Sequence, residues 1–207
     1  MTEQRRGPWI IRASRRIYDN PWIRLHEHDV LNAAGKPGIY GVIEVKNLAL
    51  GVLPIDSAGR TILVGQHRFP HDAFSWEIPE GGGPLGVDPL TSAARELVEE
   101  TGLTASRYAE LLRMDLSNSV SDESAIVYLA WDLKQGTPRP DESEQLTTRW
   151  VAFDEALALV NAGTIRDAIS VAAILKLQHL RSAMGLDLKR LEDFAGRLEA
   201  KHMPAMP

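Results

Sequence analysis

The chain has 207 residues, 44% of them hydrophobic and 25% charged, enough for one good core or for one domain with an added arm. A net charge of -5, with basic residues gathered only near the start (Arg5, Arg6, Arg12, Arg15, Arg16), argues against a general binder of nucleic acid or membrane surfaces. The absence of cysteine excludes disulfides, thiolate catalysis and zinc-thiolate sites, and there is neither a membrane-length apolar run nor a signal-peptide core, so a cytoplasmic protein is expected.

Residues 9–31 read as strand-rich, with polar and apolar residues partly alternating in Trp22-Ile23-Arg24-Leu25-His26-Glu27-His28-Asp29-Val30. A turn follows at residues 32–38, and residues 39–45 resume the strand pattern. Residues 1–47 are therefore expected to form a strand-rich antiparallel arm ahead of the main domain. His26 and His28 share one strand face, but with no third ligand nearby they read as solvated or packed histidines.

The main domain is expected over residues 48–183. Residues 49–55 and 61–67 are apolar runs around Asp56-Ser57-Ala58-Gly59-Arg60, which reads as a hairpin. Consecutive glycines at Gly81, Gly82 and Gly83 then let the backbone approach a ligand and leave its amides and carbonyls free for contact. They lead into a helix expected from about Pro89 to Thr101, with Asp88 as N-cap, Pro89 in the first turn and Gly102 as terminator. Leu90, Ala93, Ala94, Leu97 and Thr101 form its buried stripe. Glu96, Glu99 and Glu100 fall on another face. Like charges four apart repel unless something positive lies between them, and crowded hard oxygens suit Mg²⁺ or Mn²⁺. Glu96 and Glu100 are the expected metal ligands, Glu99 a ligand of a second ion or the holder of a metal-bound water, and Arg95 the partner that fixes the acids.

Strands are expected over residues 107–115, 125–133 and 148–153. A helix capped by Asp154 should run to Val160, and another over residues 167–180 should bury Ala168, Val171, Ile174, Leu175 and Leu177. Residues 184–207 form a C-terminal tail whose stretch 186–201 reads as an amphipathic helix. Strands followed by helices predict an α+β fold or an α/β/α sandwich.

Gly81, Arg95, Glu96, Leu97, Glu99, Glu100, Gly102 and Leu103 match in identity and spacing the Nudix box, G-x5-E-x7-R-E-U-x-E-E-x-G-U with U aliphatic. The chain thus resembles the Nudix hydrolase superfamily, with one departure: Val87 stands where the box has its first Glu. Tyr18-Asp19-Asn20-Pro21-Trp22, Leu63-Val64-Gly65-Gln66-His67-Arg68-Phe69, Trp76-Glu77-Ile78-Pro79 and Thr164-Ile165-Arg166-Asp167 resemble more loosely the ADP-ribose pyrophosphatase branch, so that the likeness covers roughly residues 15–180.

That resemblance implies a Nudix-like mixed sheet between helices, and a homodimer whose N-terminal strands cross to the partner and help build the nucleoside pocket. It implies Mg²⁺-dependent cleavage (Mn²⁺ as a substitute) of ADP-ribose or another nucleoside diphosphate sugar such as GDP-mannose, giving a nucleoside monophosphate and a sugar phosphate. The backbone carbonyl of Glu80 would complete the metal site. The general base would come from Asp141-Glu142-Ser143-Glu144, with Glu142 ahead of Glu144. Trp22, ahead of Trp9, is a candidate for stacking the base, Arg68 for a phosphate, Gly82 for a backbone contact, and Glu123 for a metal or sugar. Val87 binds no metal, so its presence implies a slower enzyme or weaker metal affinity unless Asp88 or Glu77 substitutes for the missing Glu. The competing readings are a Nudix hydrolase of nucleoside triphosphates or dinucleoside polyphosphates, and a sensing module that has lost catalysis. The three intact acids oppose the second.

Overall fold

The computed structural model describes residues 4–139 and 145–202, which fall into two compact units. Unit 1 comprises Met1–Leu48 with Asp115–Ser124, and unit 2 comprises Ala49–Met114 with Ala125–Pro207.

Unit 1 is an antiparallel sheet in the order β1-β2-β3-β4, from β1 (Gln4–Arg6), β2 (Trp9–Asp19), β3 (Ile23–Leu31) and β4 (Pro37–Val45). Asn20 closes the β2–β3 turn by accepting the amides of Trp22 and Ile23 at 2.9 and 2.8 Å, an Asx device. Side chains two apart share a face, so Ile11, His28, Val30, Tyr40 and Val42 lie together, and the loop of residues 116–123 packs beside them. Ile43 donates to the Val120 carbonyl (2.8 Å), Asp122 to that of Ile43 (3.2 Å), and the Tyr40 hydroxyl to that of Ser119 (2.8 Å). Trp9 meets Tyr40 edge-to-face at 5.4 Å, and these residues line an open pocket of about 280 Å³. Beyond Ile11 every residue of β2 is exposed, including Ile17 and Tyr18. The His26 and His28 rings stack at 6.0 Å, one hydrogen-bonded to Glu44 and the other to Ser14.

Unit 2 holds two sheets. The first runs β12-β9-β10-β5-β8 and the second β11-β6-β7. Their strands are β5 (Asn47–Pro54), β6 (Arg60–Arg68), β7 (Ala73–Glu77), β8 (Glu80–Pro84), β9 (Leu103–Asp115), β10 (Ser124–Gln135), β11 (Thr147–Ala152) and β12 (Lys201–His202). β5 and β10 pair in parallel and read as nearly continuous buried runs, as strands covered on both faces do. The helices are α1 (Pro89–Thr101), α2 (Phe153–Asn161) and α3 (Ala168–Met184).

Two glycines let the helices approach. A Cβ on Gly51 of β5 would lie 2.9 Å from Ile169 of α3, and one on Gly83 of β8 would lie 3.0 Å from Ser92 of α1. The core, with Leu50, Leu53, Leu63, Ile78, Leu97, Leu129 and Ile174 among its fully buried side chains, lies between these elements. Among the described residues no helix is long and apolar enough to cross a membrane.

Four sequence expectations need correction. The turn at residues 56–60 forms, but β5 and β6 enter different sheets and do not pair as a hairpin, because each is buried enough to take other partners. Asp154 lies in the first turn of α2, whose N-cap position is Ala152. On α3 the buried face is Ile169, Ser170, Ala173, Ile174 and Leu177, leaving Ala168 and Leu175 exposed: a run this apolar all round does not announce its register. Residues 186–201 form a 3₁₀ segment (Leu188–Phe194) interrupted at Arg190 rather than an amphipathic α-helix.

Candidate active site

The first half of the site is α1. The Asp88 carboxylate accepts the amide and hydroxyl of Thr91, each at 2.9 Å, and Gly102, at φ 72°, closes the helix by donating to Val98. Leu90, Ala93, Ala94, Leu97 and Thr101 are buried, which fixes the helix rotation and carries Glu96, Glu99 and Glu100 toward β8. Arg95 ties the acids down, pairing with Glu99 one turn on, donating to Glu96 Oε1 at 2.6 Å and to the Gly82 carbonyl at 3.1 Å. Glu100 is buried, and one of its oxygens accepts the Glu80 amide at 3.0 Å.

The second half is the glycine strand. A Cβ on Gly81 would overlap the Glu96 carboxylate, with Oε1 at 2.6 Å. Any side chain at this position would push the Glu96 carboxylate aside, whereas glycine lets the main chain pass directly beneath it. Val87 is 46% exposed. Neither candidate substitute is available, since Asp88 caps the helix and Glu77 is held elsewhere.

A further group of acids lies beside this strand. Glu77, Glu80 and Asp167 offer oxygens all within 4.8 Å of one another. Arg68 joins them, with Nε donating to both Glu77 oxygens (2.9 and 3.1 Å) and Nη2 to Glu77 (2.5 Å) and Glu80 (2.7 Å). Burial, followed by the neighbouring Asp167 and Glu77, pushes the Glu80 carboxyl well above the usual carboxylate range. Burial works against the Arg68 charge, yet its hydrogen bonds and charge contacts with Glu77 outweigh this and raise it. Sequence reasoning did not assemble this group, because residues 68, 77, 80 and 167 meet only through the fold.

Residues 45–171 match the family described as NUDIX domain, and residues 9–43 match the nucleoside diphosphate sugar hydrolase N-terminal domain. The chain belongs to the Nudix family. It is a Nudix hydrolase of α+β fold, as the box residues led one to expect. An ADP-ribose pyrophosphatase of Bacillus subtilis is 32% identical over 80% of this chain and 90% of its own length. A CMP-5'-(N-acetyl-N-hydroxy-3-aminopropyl)phosphonate hydrolase of Streptomyces rubellomurinus is 30% identical over 86% of this chain and 87% of its own. A crystal structure titled ADP compounds hydrolase superposes with a TM-score of 0.77 over 89% of this chain and 98% of that one, at 18% identity, a likeness of fold.

Within this Nudix site, Arg95, Glu96, Glu99, Glu100, Glu80 and Gly82 come together around α1 and β8. Arg68 is engaged by acids. Trp22 sits at the β2–β3 turn, 65% exposed, whereas Trp9 lines the unit 1 pocket. Glu123 belongs to unit 1, where its carbonyl accepts the Leu116 amide at 3.0 Å. Glu142 and Glu144 lie outside the described residues.

Proposed function

We propose that the chain is a divalent-metal-dependent pyrophosphohydrolase that splits nucleoside diphosphate sugars at the diphosphate bridge. The observation that carries this reading is the passage of Glu80 and Gly81 backbone against the carboxylates of Glu96 and Glu100. Clustered carboxylate oxygens fit a hard cation, and glycine leaves the space beside them open. Glu96 and Glu100 would hold Mg²⁺, or Mn²⁺ in its place, with Glu99 and the Glu80 carbonyl in support. The ion would neutralise phosphate charge and acidify a water.

The remaining work falls to the chain. Arg95 holds Glu96 and Glu99 in place through its three contacts. Water attacks one phosphorus, the bond from that phosphorus to the bridging oxygen breaks, and a nucleoside monophosphate and a sugar phosphate leave. Glu142, with Glu144 second, is our choice of base on the sequence alone.

The substrate class is supported by the match of residues 9–43 and by relatives named for ADP-ribose and for a CMP-linked phosphonate. In unit 1, Trp9 and Tyr40 wall a pocket that suits a planar base better than the exposed Trp22 does. A homodimer is supported by β2, which past Ile11 is the exposed edge of the β2-β3-β4 sheet and carries Ile17 and Tyr18, since an exposed edge strand with apolar side chains is a template for another chain. A cytoplasmic location fits a nucleotide substrate.

The test is a panel of ADP-ribose, GDP-mannose, a CMP-linked anhydride, nucleoside triphosphates and dinucleoside polyphosphates, with Mg²⁺ or Mn²⁺, scored for released nucleoside monophosphate. Nucleoside diphosphate sugars are expected to turn over fastest, and Glu100→Gln to lose at least ~100-fold, beyond the loss of a supporting group. Undiminished turnover in Glu100→Gln removes the metal assignment. Preference for triphosphates favours the alternative Nudix activity. Binding of ADP-ribose without product favours the sensing module.

A further inference from the structure

Between β7 and β8 the chain changes sheets, since β7 pairs with β6 in one and β8 with β5 in the other. The corner is Ile78 and Pro79, and each of its polar groups needs a partner outside the ladders. The Pro79 carbonyl accepts the Val52 amide at 2.8 Å, and proline brings no donor of its own. The next amide, that of Glu80, goes to the Glu100 carboxylate at 3.0 Å. The Ile78 amide goes to the hydroxyl oxygen of Ser170, a fully buried residue of α3, 92 positions away and 2.9 Å distant. Ser170 is itself fixed, because its own amide donates to Asp167 at 2.7 Å.

We propose that Ser170 is a positioning residue for the metal-binding carboxylates of α1. It pins one end of the stretch 78–81, whose other end is the Glu80 amide on Glu100 and the glycine beneath Glu96. The Ile78 side chain is completely buried, so no water is at hand to replace the hydroxyl. Without Ser170 the amide must swing to find a partner, and the Glu80–Gly81 backbone swings with it. A serine on the otherwise apolar buried face of α3 has this use to explain it.

The proposal rests on the reading that Glu96 and Glu100 hold the ion. The experiment is Mn²⁺ binding to the intact protein, followed by electron paramagnetic resonance of free Mn²⁺, alongside the Mn²⁺ dependence of kcat. Ser170→Ala is expected to raise the half-saturating Mn²⁺ concentration ~10-fold, the scale of lost support around a metal. Ile174→Val on the same helix, a plain core truncation, should lower Tm without moving that concentration. A folded Ser170→Ala protein with unchanged Mn²⁺ binding overturns the proposal.

If alanine prevents folding, Ser170→Cys keeps the volume with a weaker acceptor, and the same two outcomes apply to it. The wild-type protein gives a third measurement. Coupling is reciprocal, so saturating Mg²⁺ should slow hydrogen exchange of the Ile78 amide several-fold, and an unchanged rate overturns the proposal. Failure of the metal reading itself would show separately, as unaltered Mn²⁺ binding in Glu100→Gln.

Discussion

Unit 2 contains two clusters in which one arginine holds several acids, and they differ in how they are made. Around Arg95 the partners Glu96 and Glu99 lie one and four residues on, along a single helix. Around Arg68 the partners Glu77 and Glu80 come from the strand corner, with Asp167 at the start of α3 beside them. The helical cluster is the more open, with Arg95 43% and Glu99 36% exposed, while the Glu77 side chain is only 3% exposed. An open cluster leaves its carboxylates within reach of an ion and a substrate. A closed one is committed to shape, and the difference should appear in what breaks when each is disturbed.

The largest effect is expected at the closed cluster. Arg68→Met strands Glu77 in a dry place; breaking such a pair costs ~3–5 kcal/mol, and with Arg68 37% exposed the expectation falls to ~2 kcal/mol. For a chain of this length that lowers Tm by ~4–8 °C, read by calorimetry. Arg68→Met with Glu77→Leu should recover most of the loss, because an apolar pair of similar volume replaces a buried ion pair at little cost. A KM that stays raised in the double variant after Tm has returned assigns Arg68 a contact with substrate phosphate as well. An unchanged Tm in the single variant would place the cluster's charge in solvent and end the contrast.

The two clusters also mark how far the sequence could be read. Helical spacing puts residues four apart on one face, so Arg95, Glu96, Glu99 and Glu100 pointed to a candidate site by themselves, and Asp88 and Gly102 bracketed its helix. The stretches Trp76-Glu77-Ile78-Pro79 and Thr164-Ile165-Arg166-Asp167 were visible as resemblances, but nothing local says that Glu77, Glu80 and Asp167 meet. That contact depends on a chain that changes sheets at Ile78 and on α3 lying close over Gly51. An earlier change of sheet, from β5 to β6, defeated the hairpin expected at residues 56–60, since apolar runs state that strands are buried and not which strands they pair with. On α3 uniform apolarity hid the register, and with it the buried Ser170.

A middling effect is expected at the open cluster. Val87→Glu places a carboxylate where the family's box has one, at a position 46% exposed and so tolerant of charge. Arg95, 43% exposed, can accept a further partner. The half-saturating Mg²⁺ concentration should fall ~10-fold, the scale on which supporting partners act, with Tm nearly unchanged. An unaltered Mg²⁺ dependence would mean that Glu96, Glu99 and the Gly82 carbonyl already hold Arg95 fully. The open cluster would then be as rigid as the closed one.

The smallest effect belongs to a third cluster, in unit 1, where Asp19 meets Arg16, Arg24 and Lys46 at the surface. Hydrogen bonds from Lys46 and Arg24 bring the Asp19 carboxyl from 3.8 down to about 2. A lowered carboxyl contributes stability that is complete above the unfolded value and is lost as pH falls through the folded one, here between 3.8 and about 2. Thermal melts of the wild type and Asp19→Asn should therefore differ by a small, constant amount at neutral pH. The gap should close across that acid window and shrink in high salt, because exposed pairs are screened. A gap that persists at the bottom of the window would show that Asp19 acts through packing at the β2–β3 turn instead of through its charge, as only a closed cluster is expected to do.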